Sequence, residues 1–262
     1  METTPRPDAD VIGTLAWLRR TEGRLSLRER LHLMQQGLAP LPGQLWRGRW
    51  ARPHAAAPGA LAPLLQALPD TPAVGHALQA MADTGHTDVL QHSWRTHWWA
   101  QAWAIAEGHQ VDTELLLVAS LMHDLGMADA GGHAARGCSC FTAHGALAAM
   151  ALVRQAQPEA WPDARAQRLG EAITLHMNGP VPGSQGLEAH LLQRGTACDV
   201  IGAELATLPR TYRDAVLARH PRGDFDGAFR RFLAAQHRDH PRSRAALMHQ
   251  LGVGWLMHLA PR

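Results

Sequence analysis

His123 and Asp124 end the most apolar stretch of the chain, Leu115 to Met122, just before Leu125-Gly126. An imidazole and a carboxylate at the end of a buried helix are costly unless something satisfies them, and a bound metal is one thing that would. Adjacent residues project about 100° apart on a helix, but at its last turn both side chains can converge on a point beyond it. The competing reading is a C-terminal cap followed by a turn. Other donors flank the pair: His92 in Gln91-His92-Ser93-Trp94-Arg95, His176 at the end of Ala172-Ile173-Thr174-Leu175-His176, and Asp199 in Cys198-Asp199-Val200-Ile201-Gly202. With 17 histidines in the chain, chance clusters are expected, so the argument rests on spacing and order. Arg95 follows His92 by three residues, on the same helical face, where its guanidinium would suit an anionic group or would pair with Asp124 or Asp199.

Taken in order, these motifs resemble the HD-domain superfamily of metal-dependent hydrolases, from about residue 85 to 232. The His-Ser-x-Arg opening, the apolar helix into His-Asp-Leu-Gly, the Ala-Ile-x-Leu-His helix end and the Asp-Val-x-Gly closing motif are most similar to the branch that includes cyanamide hydratase. The resemblance implies that His92, His123, Asp124 and Asp199 bind a divalent metal, zinc foremost. It implies catalytic roles for Asp124, Arg95 and His176, the last as a proton donor behind the metal or as an extra ligand, with Asn178 nearby. A metal so held lowers the pKa of a water from 15.7 to about 7 and readies it to attack a small polar substrate, cyanamide-like, nitrile-like or an amide. On this reading Asp199→Ala should abolish turnover and leave the fold intact.

One stretch departs from that branch. Its Phe-x-x-Asp-Gly-Ala pattern is here Phe141-Thr142-Ala143-His144-Gly145-Ala146. His144 and His176 would then supply ligands for a second metal, iron or manganese, and the site would be a dinuclear phosphohydrolase for a nucleotide or phosphomonoester, or a diiron oxygenase. A bundle that keeps its metal only to sense a ligand is the non-catalytic alternative. His133, Cys138, Cys140 and His144 also offer four zinc donors, although the two cysteines stand closer than zinc fingers space them.

The elements that must position these groups are helical. Leu and Ala recur at three- and four-residue spacing and no period-two run emerges, so the expected fold is all-α, an HD-domain helical bundle over residues 71–262 with an amino-terminal helical extension over residues 1–70. Helices are expected at Leu27 to Gln36, where Ser26 and Glu29 form a capping box, at Pro72 to Met81 after Asp70, and at Asp88 to Glu107, with a stripe of Leu90, Trp94, Trp98 and Ala102. The central helix is expected from Thr113 to about Asp124. Others follow at Phe141 to Gln155, Asp163 to Met177, Leu187 to Leu205, Thr211 to Arg219, Phe225 to His237 and Arg242 to Leu259. Ala39 to Pro63 reads as a long connection, and Asp129 to Cys140 as a loop controlling entry to the site. Trp17, Trp46 and Trp50 are expected to pack the extension onto the bundle.

Composition narrows the function classes. The 262 residues are 46% hydrophobic and carry a formal charge of +2, with every basic residue an arginine and the arginines scattered. Nucleic-acid binding is not indicated. No apolar run reaches the roughly 18 residues a membrane span needs, and the amino terminus lacks signal-peptide order, so a cytoplasmic protein is expected. Three cysteines fit a reducing compartment. The expected partner is a small-molecule substrate, with self-association left open.

Overall fold

Asp112 opens the central helix, its carboxylate accepting the Leu115 amide at 3.0 Å. Everything from Leu115 to Met122 behind that cap is buried. A helix apolar on every side must be enclosed on every side, and the rest of the bundle does this. The computed structural model describes residues 11–38, 68–128 and 140–259. Among them, regular structure is helical throughout, with no strand.

In chain order the α-helices are α1 Leu15–Thr21, α2 Leu27–Leu38, α3 Pro72–Asp83, α4 Thr87–Ala106, α5 Thr113–Met122, α6 Leu125–Ala128, α7 Phe141–Ala156, α8 Asp163–Leu175, α9 Leu187–Ile201, α10 Arg210–Arg219, α11 Phe225–Asp239, α12 Arg244–Gln250 and α13 Val253–Leu256. Helix α5 is the hub, packed by α3, α4, α7, α8 and α9. Helices α4 and α9 lie along one another. Their approach needs Gly195, since a Cβ there would sit 2.4 Å from the Thr96 carbonyl oxygen. The turn after Asp124 is equally tight: a Cβ on Gly126 would fall 2.1 Å from the Phe141 carbonyl oxygen, so only glycine lets α6 press against α7.

The amino-terminal helices form a second apolar cluster, in which Ile12, Trp17, Leu18, Leu25 and Leu33 meet Cys140, Ala143 and Leu247. Hydrogen bonds stitch this layer to distant parts of the chain. The Leu25 amide donates to the Arg242 carbonyl at 2.8 Å, Arg242 Nε returns a bond to the Leu25 carbonyl at 3.2 Å, and Asn178 Nδ2 donates to the Ile12 carbonyl at 2.6 Å.

Several expected boundaries shift for local reasons. Ser26 and Glu29 do form the reciprocal capping box, but α3 is capped by Thr71 rather than Asp70. Helix α9 stops at Ile201, not Leu205, because Gly202 is left-handed with φ 69°. The final helix breaks into α12 and α13 at Gly252, φ 74°. Helix α4 was expected to bury Leu90 and Trp94, yet both are half-exposed. Squeezed between α5 and α9, it buries Trp98 and Ala102 of that stripe and also His92, Arg95, Trp99 and Trp103. Helix α1 is too short for periodicity to reveal. The expected connection from Ala39 to Pro63, with Trp46 and Trp50, lies outside the described residues. So does the expected entry loop up to residue 139, with His133 and Cys138 of the four-donor alternative. No described helix is long and apolar enough to cross a membrane.

Candidate metal centre

Three helices deliver their donors to one point. His92 comes from the middle of α4, His123 and Asp124 from the end of α5, and His176 from the end of α8. His92 Nε2 lies 3.2 Å from His123 Nε2 and 3.5 Å from Asp124 Oδ2, and His123 Nε2 lies 3.4 Å from the same oxygen. His176 Nε2 approaches the other Asp124 oxygen at 3.6 Å. All four residues are buried. Among the described residues, His92, His123 and Asp124 are the one group of three or more donors close enough together to hold a metal ion.

Hydrogen bonding behind each ring shows what the group is suited to hold. His123 Nδ1 is 2.7 Å from the Ser120 carbonyl oxygen and His176 Nδ1 is 2.6 Å from that of Ile173. A carbonyl only accepts, so each Nδ1 carries the hydrogen. His92 Nδ1 donates in the same way to Asp199 Oδ2 at 2.7 Å. In their neutral forms all three rings therefore turn an Nε2 lone pair toward Asp124. Lone pairs facing one another around a carboxylate repel unless a cation sits among them, and a divalent metal fits this donor set. The same packing shifts the protonation of each group. Burial opposes charge on His123, but Asp124 and the Ser120 carbonyl outweigh it and raise its pKa. Burial alone would raise the Asp124 pKa, yet His123, His92 and His176 hold it far below the usual carboxylate range. Burial lowers that of His92 against the pull of Asp199, and brings that of His176 down to about 3 with help from His123.

Asp199 stands outside that close group, on the far nitrogen of His92. Its oxygens also receive Arg95 Nε at 2.8 Å, Arg95 Nη2 at 2.9 Å and Trp99 Nε1 at 3.0 Å, while Arg222 Nη1 lies 3.4 Å away and bonds the Asp199 backbone carbonyl at 2.9 Å. Burial is the largest influence on this carboxyl and would raise its pKa, but Arg95 and His92 overcome it and drive it far down. The Arg95 guanidinium thus meets a core carboxylate, and its Nη1 reaches the carbonyls of His220 and Pro221. It does not line the cavity beside the metal group. His144 is half-buried, with its Cβ against the Gly126 turn, and is not a member of the three-residue group.

Sequence reasoning passed over an aromatic arc. The Phe225 ring stacks on His92 at 4.1 Å between centroids, and from it Phe229, Phe232 and Phe141 continue in successive contacts to His176, so all four phenylalanines of the chain join two of the inward-facing histidines. The signal was there in the four-residue spacing of Phe225 and Phe229 on a helix. Arg222, His220 and Arg244 were also missed. Each acts through a partner distant in sequence, which periodicity does not reveal. A cavity of about 360 Å³ opens beside His92, Asp124 and His176.

His97 on α4 and His220 after α10 are a second pair of histidines, outside the metal group. His97 is buried against Trp98, with Nδ1 unpartnered, and burial followed by the nearby His220 lowers its pKa to about 3. Burial, then Arg219 and Arg95, lowers that of His220 to about 4. Unfolded histidines titrate near 6.5. Between that value and the folded pKa the unfolded chain binds protons that the folded chain refuses, so stability is lost as the pH falls from about 6.5 toward 4. Melting temperatures measured across this window should decline with acid, and His97→Asn should decline less steeply than the parent. Equal slopes would show that His97 is not held neutral by burial.

No curated protein matches the chain. Residues 89–202, the segment that supplies His92, His123, Asp124, His176 and Asp199, match the HD domain family, consistent with the all-α bundle described above.

Proposed function

We propose that the chain adds water to a small uncharged group, a nitrile or an amide, at a single divalent metal held by His92, His123 and Asp124. The observation that carries the reading is the convergence of three Nε2 lone pairs on the Asp124 carboxylate. When bound, the metal supplies Lewis acidity and acidifies water. The remaining work falls to side chains. Asp199 fixes the tautomer and angle of His92. Arg95, Arg222 and Trp99 keep Asp199 ionised and in place, which makes Arg95 a positioning residue. The Ile173 carbonyl fixes the His176 hydrogen on Nδ1, so its Nε2 can take a proton from water and pass it to the substrate nitrogen, completing addition across a nitrile or, in an amide, leaving with the amine as the C–N bond breaks. The Phe225 ring covers one face of His92 and keeps bulk water off it.

A nitrile or amide suits the site better than a phosphoester. The chain contains no lysine, and the two arginines that line the cavity already serve protein acceptors: Arg194 bonds Glu107 and Glu204, while Arg244 bonds the Thr174 carbonyl, Asn178, Cys140 and Thr142. With the terminal nitrogens of both arginines engaged, a phosphoryl group would lack the bidentate partner it favours.

Elemental analysis of protein purified without added metal tests the reading. About one zinc per chain is expected, with hydrolysis of a nitrile and amide panel lost on chelation and restored by zinc. Two iron or manganese ions per chain, or hydrolysis that persists in metal-free protein, would overturn it.

A further inference from the structure

We infer that the substrate bears an uncharged apolar tail and that Leu33, Phe229, Leu247 and Met248 form the wall that selects it. The inference rests on the hydrolase reading for the reacting head group and adds the body that this head must carry. At about 360 Å³ the cavity has room for roughly a dozen water-sized groups, far more than cyanamide or urea would fill. Its lining is mainly apolar away from His92, Asp124 and His176. Water ordered against such a surface is readily displaced by hydrocarbon, which gives an apolar tail its binding energy.

The terminal nitrogens of the two arginines along the wall are already engaged. Arg194 lies over the Trp103 ring with both terminal nitrogens on carboxylates, and four acceptors surround Arg244. Asn178 spends its amide nitrogen on Ile12, and His190 Nδ1 meets the Val181 carbonyl. Gln193 remains to hydrogen-bond an uncharged polar atom on the tail. The four wall residues all lie outside residues 89–202: Leu33 comes from α2, ahead of the HD segment, and Phe229, Leu247 and Met248 come from α11 and α12, behind it. The segment that matches the family holds the metal group and part of the apolar lining, including Met177, Val181, Val200 and Ile201, and the flanking helices complete the wall.

The test is a homologous series of straight-chain alkanamides, from two to twelve carbons, titrated calorimetrically into the full-length protein with and without zinc. Each added methylene should tighten binding about threefold to fourfold, with a plateau once the cavity is full. Leu247→Trp should bring that plateau to shorter chains while metal content stays at the parent value. Alkyl phosphates of equal length should bind more weakly than the amides. Affinity that does not change with chain length in the parent protein would overturn the tail, and tighter binding of the phosphates would overturn its lack of charge. Long amides that bind but are never hydrolysed, with or without zinc, would support the tail while removing the hydrolase reading, so the two fail separately.

Discussion

Asp199→Ala is expected to lower the melting temperature by about 10 °C and to remove most of the bound metal. The substitution deletes one carboxylate and leaves Arg95 buried, Arg222 half-buried, the Trp99 indole without its acceptor and His92 Nδ1 without the group that orients it. Breaking a buried pair from one side costs about 3–5 kcal/mol, because the surviving charge stays behind without compensation. In a chain of this size each kcal/mol corresponds to about 2–4 °C. Loss of the group behind a metal-binding histidine weakens metal affinity by about 10–100-fold. The resemblance to HD enzymes led to a different expectation, of lost turnover in an intact fold. The geometry leads to the present expectation, since Asp199 is the anion at the centre of a buried charge cluster. Melting within about 2 °C of the parent would show that this cluster contributes nothing to the fold.

Asp124→Asn should have the opposite profile, a modest change in melting and a severe loss of activity. Asp124 meets His92, His123 and His176 at 3.4–3.6 Å, and no arginine depends on it. The amide keeps its shape but withdraws the charge that holds a divalent cation. Several kcal/mol of transition-state stabilisation depend on that cation, and about 4 kcal/mol corresponds to a rate lower by a factor on the order of a thousand. Metal content by elemental analysis and turnover on the nitrile and amide panel should fall together. Retention of a full metal equivalent would place the cation elsewhere, and retention of turnover without it would take the reaction away from this cluster.

The two variants also mark what could be read from the sequence. His92, His123, Asp124 and His176 were legible because each stands at a helix position where a polar side chain has to be explained, and their order along the chain matched a known pattern. Asp199 was legible as an important residue, but its environment was not: the donors around it come from α4 and from the chain near residue 222, and no local pattern links them. The same limit applies to Arg95, whose spacing from His92 places it on the right face of α4 without saying which carboxylate lies opposite. The all-α fold followed from leucine and alanine periodicity and from caps such as Ser26. Helix ends were read less well where a single glycine, Gly202 or Gly252, takes a left-handed conformation within an otherwise helical pattern. The cavity wall was not legible at all, because Leu33 and Leu247 are ordinary apolar residues until the fold brings α2 against α12.

That meeting has a consequence for how the protein is made. The bond between Leu25 and Arg242 joins positions 217 residues apart, and the one between Asn178 and Ile12 spans 166. Contacts this distant in sequence close late in folding, after local helices and their neighbours have formed. A nascent chain that has emerged only through residue 202 already carries every donor of the metal group but none of α11 and α12. The donors of the metal group are therefore all present before Phe225, which stacks on His92, and before the part of the cavity wall that α11 and α12 supply.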